Sequence, residues 1–208
     1  MNDPTLRKFW EDCHIGNNEY AVLVSDGNGS NLWRSLNIFN RILKRTKVLE
    51  IGVGQGSDIR KINEAGSNVY ALDISQQAID KVKDIIKGSW LAENIDTLPS
   101  NFFDVVISHL VTQHMSNEDF KKQLKAVLRS LNSKGVFALQ FADRIDGIPD
   151  KEYNESVYFQ KTGSVCRNFK MMERLIDEAG GKIIWSDGPI NFPKNNSRWF
   201  YLNIVNKT

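Results

Sequence analysis

Two groups of residues in this chain are of types that do chemistry. The first is Glu50-Ile51-Gly52-Val53-Gly54-Gln55-Gly56-Ser57, followed further on by Asp73. Glycines at alternate positions remove β-carbons where a ligand has to come close to backbone, and they admit φ values closed to other residues. A helix opening near Ser57 turns its free N–H groups towards the same ligand. A carboxylate at Asp73 can accept both hydroxyls of a ribose. The second group is His109 and His114, in His109-Leu110-Val111-Thr112-Gln113-His114. Histidine is the side chain best suited to take a proton near neutral pH. Either ring can instead cap the following helix or bond backbone, and both readings stand on the sequence alone. The third histidine, His14, lies in the N-terminal segment, where it can close over the same site.

The elements that must position these residues follow from periodicity and punctuation. Val48 to Ile51 reads as a short buried parallel strand. Asp58 to Ala65 reads as a crossover helix stopped by Gly66, and Asn68 to Asp73 as the second strand. Ser75 is a natural N-cap for a helix from Gln76 to Lys87, closed by Gly88. Ser89 to Glu93 is a third strand. Phe102 to Ser108 is a strongly apolar fourth strand, which puts His109 and His114 at the carboxyl edge, where open α/β sheets hold their ligands. A helix from Asn117 to Leu131, capped by Ser116, leads to a fifth strand, Lys134 to Phe141. A helix from Asn168 to Ala179 and two last strands, Lys182 to Trp185 and Ser197 to Val205, complete the alternation. Ahead of the first strand, Thr5 to Cys13 reads as a short helix. Asn31 to Arg45 reads as an amphipathic helix with Leu32, Leu36, Phe39, Ile42 and Leu43 on one side. Ala142 to Arg167 breaks the rhythm, and a long loop on the ligand edge is more often functional than idle. It is expected to form a pocket wall or lid, with Tyr153 and Tyr158 in it.

The glycine spacing separates two nucleotide-binding readings. A dinucleotide fingerprint needs its third glycine three places after the second; that position is Ser57, and the glycine comes early, at Gly56. Glu-x-Gly-x-Gly-x-Gly with an acidic end to the next strand resembles the class I S-adenosylmethionine-dependent methyltransferases. The resemblance runs from about Lys47 to Gly135 and more loosely to the C-terminus. It implies an α/β fold, a Rossmann-like three-layer sandwich whose seven-stranded, mostly parallel sheet has the order 3-2-1-4-5-7-6, with strand 7 antiparallel and a helical cap before the first strand. It implies S-adenosyl-L-methionine as cofactor and S-adenosyl-L-homocysteine as product. The cofactor-binding set would be Glu50, Gly52, Gly54, Gly56, Asp73, Ile74 and Ser108. Beside the adenine the family often carries an acidic residue and then a small or apolar one. Here the acidic place holds Asn94, whose side-chain carbonyl can accept from the adenine amino group while Ile95 covers the ring; Asp96 can serve instead. Arg34 either pairs with the methionine carboxylate or is an exposed arginine. Trp10, His14, Tyr153 and Tyr158 are the candidates for the acceptor side, although Phe9, Trp10 and Trp33 can equally pack helices down. His114 sits where related small-molecule enzymes often carry a histidine, and His109 lies closer to the strand end. Asp104, in a Phe-Asp-x-Val pattern, is structural in the family.

At 208 residues the chain is expected to be one domain. Its parts are cap helices over 1–45, a cofactor core over 46–142, an acceptor-side loop or lid over 143–167, and a C-terminal helix with the antiparallel strand pair over 168–208. A net charge of +2 gives no broad basic face, so no nucleic acid or large polyanion is expected as partner. Cys13 and Cys166 form neither a metal pattern nor a disulfide framework, which points to reduced thiols in a cytoplasm. No signal peptide and no membrane insertion are expected. The amino-methylating DNA enzymes need an Asn/Asp-Pro-Pro-Tyr/Phe run after the fourth strand, where Ser108-His109-Leu110-Val111 stands. A Pro-Cys nucleophile and the paired glutamates of protein-arginine enzymes are also missing. What remains is methyl transfer to a hydroxyl, less readily an amine, of a small molecule or a sugar or glycan unit, by a monomer or homodimer. A non-catalytic cofactor-binding subunit and, against the glycine spacing, a nicotinamide-dependent oxidoreductase are the alternatives.

Overall fold

The structure, a computed structural model, describes residues 4–15, 37–144, 165–192 and 197–207. Seven strands form one sheet: β1 (Lys47–Ile51), β2 (Asn68–Asp73), β3 (Ser89–Leu91), β4 (Phe103–Ser108), β5 (Leu131–Arg144), β6 (Gly181–Phe192) and β7 (Ser197–Asn206). Their order is β3-β2-β1-β4-β5-β7-β6. β1 lies parallel to β2 and β4, and β7 runs antiparallel to both its neighbours. This is the topology the glycine motif implied.

Alternation along the strands divides the core in two, because successive side chains point to opposite faces. Leu49, Ile51, Val106, Phe137 and Leu139 are buried with Phe120, Leu124 and Val127 of α4 (Asn117–Ser130) and Met172, Leu175 and Ile176 of α5 (Phe169–Glu178). Val48, Val69, Ala71, Val105, Ile107 and Ala138 are buried on the opposite face with Ile59 and Ile62 of α2 (Ser57–Glu64) and Ala78 of α3 (Gln76–Asp80). The helices start where their caps place them. Ser75 Oγ accepts from the Ala78 amide, Ser116 Oγ from that of Asp119, and Asn168 Oδ1 from that of Met171. At the far end of the sheet, Asp104 Oδ2 accepts from the Lys47 amide at 2.7 Å and its Oδ1 from Asn132 Nδ2 at 2.5 Å. One carboxylate therefore joins the starts of β1, β4 and β5.

Several elements differ from the sequence reading: β6 runs on to Phe192 instead of ending at Trp185, β3 stops at Leu91 where a 3₁₀ turn begins, and three others depart as follows. α3 ends at Asp80 rather than Lys87. The Arg60 guanidinium takes the Lys81 carbonyl, and the Ile85 amide, whose helical acceptor that would be, turns to Val82 instead. The helix expected to run to Arg45 is, over its described part, a single 3₁₀ turn at Phe39–Arg41. Asn37 stands at φ 53, a left-handed conformation that no helix continues through. Ile38 and Ile42 still reach the core, while Leu43 is 60% exposed. The fifth strand begins at Leu131, directly after α4, with a register shift between Phe103 and Val105. Gly135 lies so close to β4 that a β-carbon there would stand 2.8 Å from the Phe103 carbonyl.

α1 (Pro4–Ile15) lies across the carboxyl edge. Arg7 Nη2 pairs with Glu93 Oε2 at 2.5 Å, Trp10 meets the His114 ring edge-on at 4.8 Å between centroids, and the helix packs on α3. It thus spans the segments that follow β2, β3 and β4.

Candidate active site

The site begins where β1 runs out. Gly52, Gly54 and Gly56 take φ of 77, 50 and 81, the left-handed region that favours glycine. The Gly52 amide bonds the Leu72 carbonyl at 2.7 Å, fastening the turn to β2. A β-carbon on Gly52 would lie 2.2 Å from Val111 Cγ2, and one on Gly56 would lie 2.4 Å from Val82 Cγ1. The loop after β4 is therefore pressed directly against the glycine turn. Asp73, at the end of β2, receives the Gly54 amide on Oδ2 at 3.2 Å and the Ser75 amide on Oδ1 at 2.9 Å. Each oxygen keeps acceptor capacity for a further donor. Burial pushes this carboxyl up to about 6, against the backbone amides that hold it down.

Two further carboxyls share the face of the sheet that α2 covers. Glu50 and Asp58 are both buried, and Glu50 Oε2 and Asp58 Oδ1 have no partner among the described residues. Burial first, then repulsion from Asp58 and Asp73, raises Glu50 well above the usual carboxyl range; an amide bond from Ile59 opposes this. Burial raises Asp58 to about 7 from an ordinary 3.8, with Lys61 pulling the other way. An acid whose folded pKa is raised binds more protons folded than unfolded. Its stabilising contribution is complete below about pH 4 and is lost as pH climbs through 7. Asp58→Asn is therefore expected to melt higher than the parent at pH 8 and to lose that advantage at pH 4. Thermal denaturation at the two pH values checks this, and an equal offset at both would refute it.

The loop after β4 carries both histidines and is held from two sides. Leu110, at φ 57, donates its amide to Gln140 Oε1 at 3.0 Å, and Thr112 Oγ1 donates to the Gln140 carbonyl at 3.0 Å. From the other side Arg167, 1% exposed, donates to the Thr112 carbonyl at 2.6 Å, the Met115 carbonyl at 2.5 Å and Asn117 Oδ1 at 2.8 Å. Its guanidinium also lies over the Phe120 ring, and the Val165 amide bonds the Gln113 carbonyl. Burial lowers Arg167 to about 10, which leaves it charged at pH 7. His109 is buried, lies nearly parallel to Tyr201 and edge-on to Trp199, and is brought down to about 3 by burial. His114 is half-buried on the 3₁₀ turn Thr112–His114, with Trp10 against its ring.

Residues 49–139 match the family described as a methyltransferase domain. The chain carries a class I S-adenosylmethionine-dependent methyltransferase domain. Solved structures with the same fold include 1,6-didemethyltoxoflavin-N1-methyltransferase from Burkholderia thailandensis, with bound 1,6-didemethyltoxoflavin and S-adenosylhomocysteine. It is 15% identical, covers 98% of this chain and 88% of its own, and has a TM-score of 0.73. Magnesium protoporphyrin IX methyltransferase from Synechocystis, with bound S-adenosylhomocysteine, is 14% identical, covers 97% and 100%, and has a TM-score of 0.70. Phosphoethanolamine N-methyltransferase 2 from Haemonchus contortus is 18% identical, covers 85% and 53%, and has a TM-score of 0.62. At these identities the likeness is one of fold. No curated protein matches the chain significantly.

The methyltransferase cofactor is a ribonucleoside carrying a sulfonium and an ammonium, and the edge of β1 and β2 fits it chemically. Asp73 offers oriented acceptors, the glycine turn offers bare backbone, and Glu50 and Asp58 offer buried carboxyl oxygens still lacking a partner. Ile74 is half-buried beside Asp73, and Ser108 ends β4 with its Oγ buried and unpartnered. In the turn after β3, Asn94 is exposed and Ile95 is wholly buried in the core, while Asp96 pairs with Lys122 at 2.8 Å, facing α4. Arg34, Tyr153 and Tyr158 lie outside the described residues, and of His14 only the backbone, within α1, is described. Among the described residues there is no cluster that could hold a metal ion, and no helix is long and apolar enough to cross a membrane. Sequence reasoning passed over Asp58, Gln140 and Arg167. Gln140 had a signal, since a lone amide in an otherwise apolar strand must be buried with a purpose. Arg167 had none, because the carbonyls it binds belong to a segment distant in sequence.

Proposed function

We propose that this methyltransferase acts on a hydroxyl, or less readily an amine, of a small molecule or sugar unit, with His114 as the base. The cofactor supplies a methyl group already activated by its positive sulfur, so the protein's task is alignment, exclusion of water and removal of one proton. The observation that carries the reading is Val111 seated on Gly52, because it brings the histidine loop against the turn assigned to the cofactor. His114 follows three residues on, its amide bonded to the Val111 carbonyl at 2.9 Å. Asp73 would hold the ribose and the glycine turn the amino-acid end. Trp10 and α1 would keep water from the transfer point, and His114 would take the proton the acceptor nucleophile loses. Of the two histidines, His114 is the better base. A ring whose pKa lies near 3, as in His109, holds a proton poorly at neutral pH.

The small-molecule ligands of the toxoflavin and phosphoethanolamine enzymes agree with an acceptor of modest size. The test is transfer of radiolabelled methyl from the cofactor into fractionated sugar and metabolite pools. Label is expected in a low-molecular-weight product. Cofactor binding with no label transferred into any pool would instead make the chain a non-catalytic binding subunit.

A further inference from the structure

We infer that Gln140 and His109 form the recognition edge for an uncharged, planar, hydrogen-bonding acceptor. This rests on the methyltransferase reading above and narrows it. Gln140 is wholly buried, and its amide is oriented by the Leu110 N–H on Oε1. The donor end, Nε2, then points away with no partner among the described residues, and His109 Nε2 has none either. Buried polar atoms are nearly always hydrogen-bonded, so each exception asks for an explanation.

The two groups belong to one place. Leu110, the residue after His109, is the one that holds the Gln140 amide. Gln140 pairs in register with Tyr201, so their side chains share a face, and Trp199 lies two residues along the same strand. The His109 ring stands 6.3 Å from both aromatic rings, nearly parallel to Tyr201 and edge-on to Trp199. Flat walls therefore accompany a donor pair and a ring nitrogen, at the carboxyl edge of β4 and β5.

Among the described residues, the two arginines at this end of the sheet are already engaged. Arg198 donates to Asp143 at 2.7 Å, and Arg167 is spent on two carbonyls and Asn117. His109 is neutral here, its pKa lowered by burial. A carboxylate or phosphate acceptor would find amide donors but no uncommitted guanidinium among these residues. A flat ring presenting a carbonyl or ring nitrogen beside its nucleophile matches both the walls and the unpaired donors.

The full chain, saturated with S-adenosylhomocysteine, would be titrated with 2-pyridone, benzoate and methyl glucoside and followed by ligand-observed NMR. 2-Pyridone is expected to bind at least about tenfold more tightly than either of the others, the size of effect a site with unpaired buried polar groups produces. Gln140→Met, still saturated with S-adenosylhomocysteine, is expected to weaken 2-pyridone about tenfold and so to erase its preference over benzoate and methyl glucoside. Benzoate or the glucoside binding as well as 2-pyridone would overturn the assignment, as would a folded Gln140→Met that keeps its 2-pyridone affinity. If Gln140→Met does not fold, the probe ratios on the parent protein decide alone. Failure to bind S-adenosylhomocysteine at the outset would count against the cofactor assignment instead, which separates the two readings.

Discussion

Asp73→Ala is expected to weaken S-adenosylmethionine binding by about a hundredfold or more. The variant loses two acceptors that Gly54 and Ser75 have already oriented. Hydrogen bonds to a charged group contribute roughly 1.5–3 kcal/mol each, and about 1.4 kcal/mol is a factor of ten in affinity. Asp73→Asn should also fail to restore wild-type binding. Its amide has one carbonyl, and its NH₂ must face either the Gly54 or the Ser75 N–H, donor against donor. Since burial puts the Asp73 pKa at about 6, affinity in the parent should decline as pH drops through that value and the acceptor lone pairs become occupied by a proton. Isothermal titration calorimetry on folded protein measures all three. Unchanged affinity in Asp73→Ala would remove the carboxylate from the cofactor site and the turn's assignment with it.

His114→Ala is expected to reduce turnover by about 10² to 10⁴, the range that a positioned general base supplies, with cofactor affinity nearly unchanged. The split between the two readouts is the informative part. The contact that presses this loop on the glycine turn is made by Val111, so removing the His114 ring leaves the Gly52 contact and the Asp73 bonds in place. The loop itself should survive, because Gln140, Thr112 and Arg167 tie it at four points that do not involve the imidazole. Single-turnover kinetics with the acceptor found by label transfer, alongside calorimetry, separates the terms. Turnover within a few-fold of the parent would assign proton removal to another group or to water.

Much of this was legible in the chain because the signals are local. The left-handed glycines, the caps at Ser75 and Ser116, and the apolar runs of β4 and β5 each encode their own conformation, and together with the motif they imply the sheet order. The exceptions are places where a distant group decides. α3 stops short because Arg60 takes a carbonyl, and the stretch before β1 breaks at Asn37, a residue type that tolerates the left-handed region without announcing it. At the site, Asp73 and the glycines could be read from spacing. Asp58 could not, since its importance comes from α2 placing it beside Glu50. The ranking of the two histidines also needed three dimensions: only packing against Tyr201 and Trp199 shows that His109 is too deeply desolvated to hold a proton.

The Asp104 carboxylate has a consequence for how such an enzyme can diversify. It ties three strand beginnings at the rim opposite the reactive one, so strand alignment is settled where no substrate arrives. Insertions, deletions and side-chain exchanges at the other rim then leave the pairing of β1, β4 and β5 untouched. A new acceptor can be accommodated by rebuilding loops alone, on a frame whose alignment is set from behind.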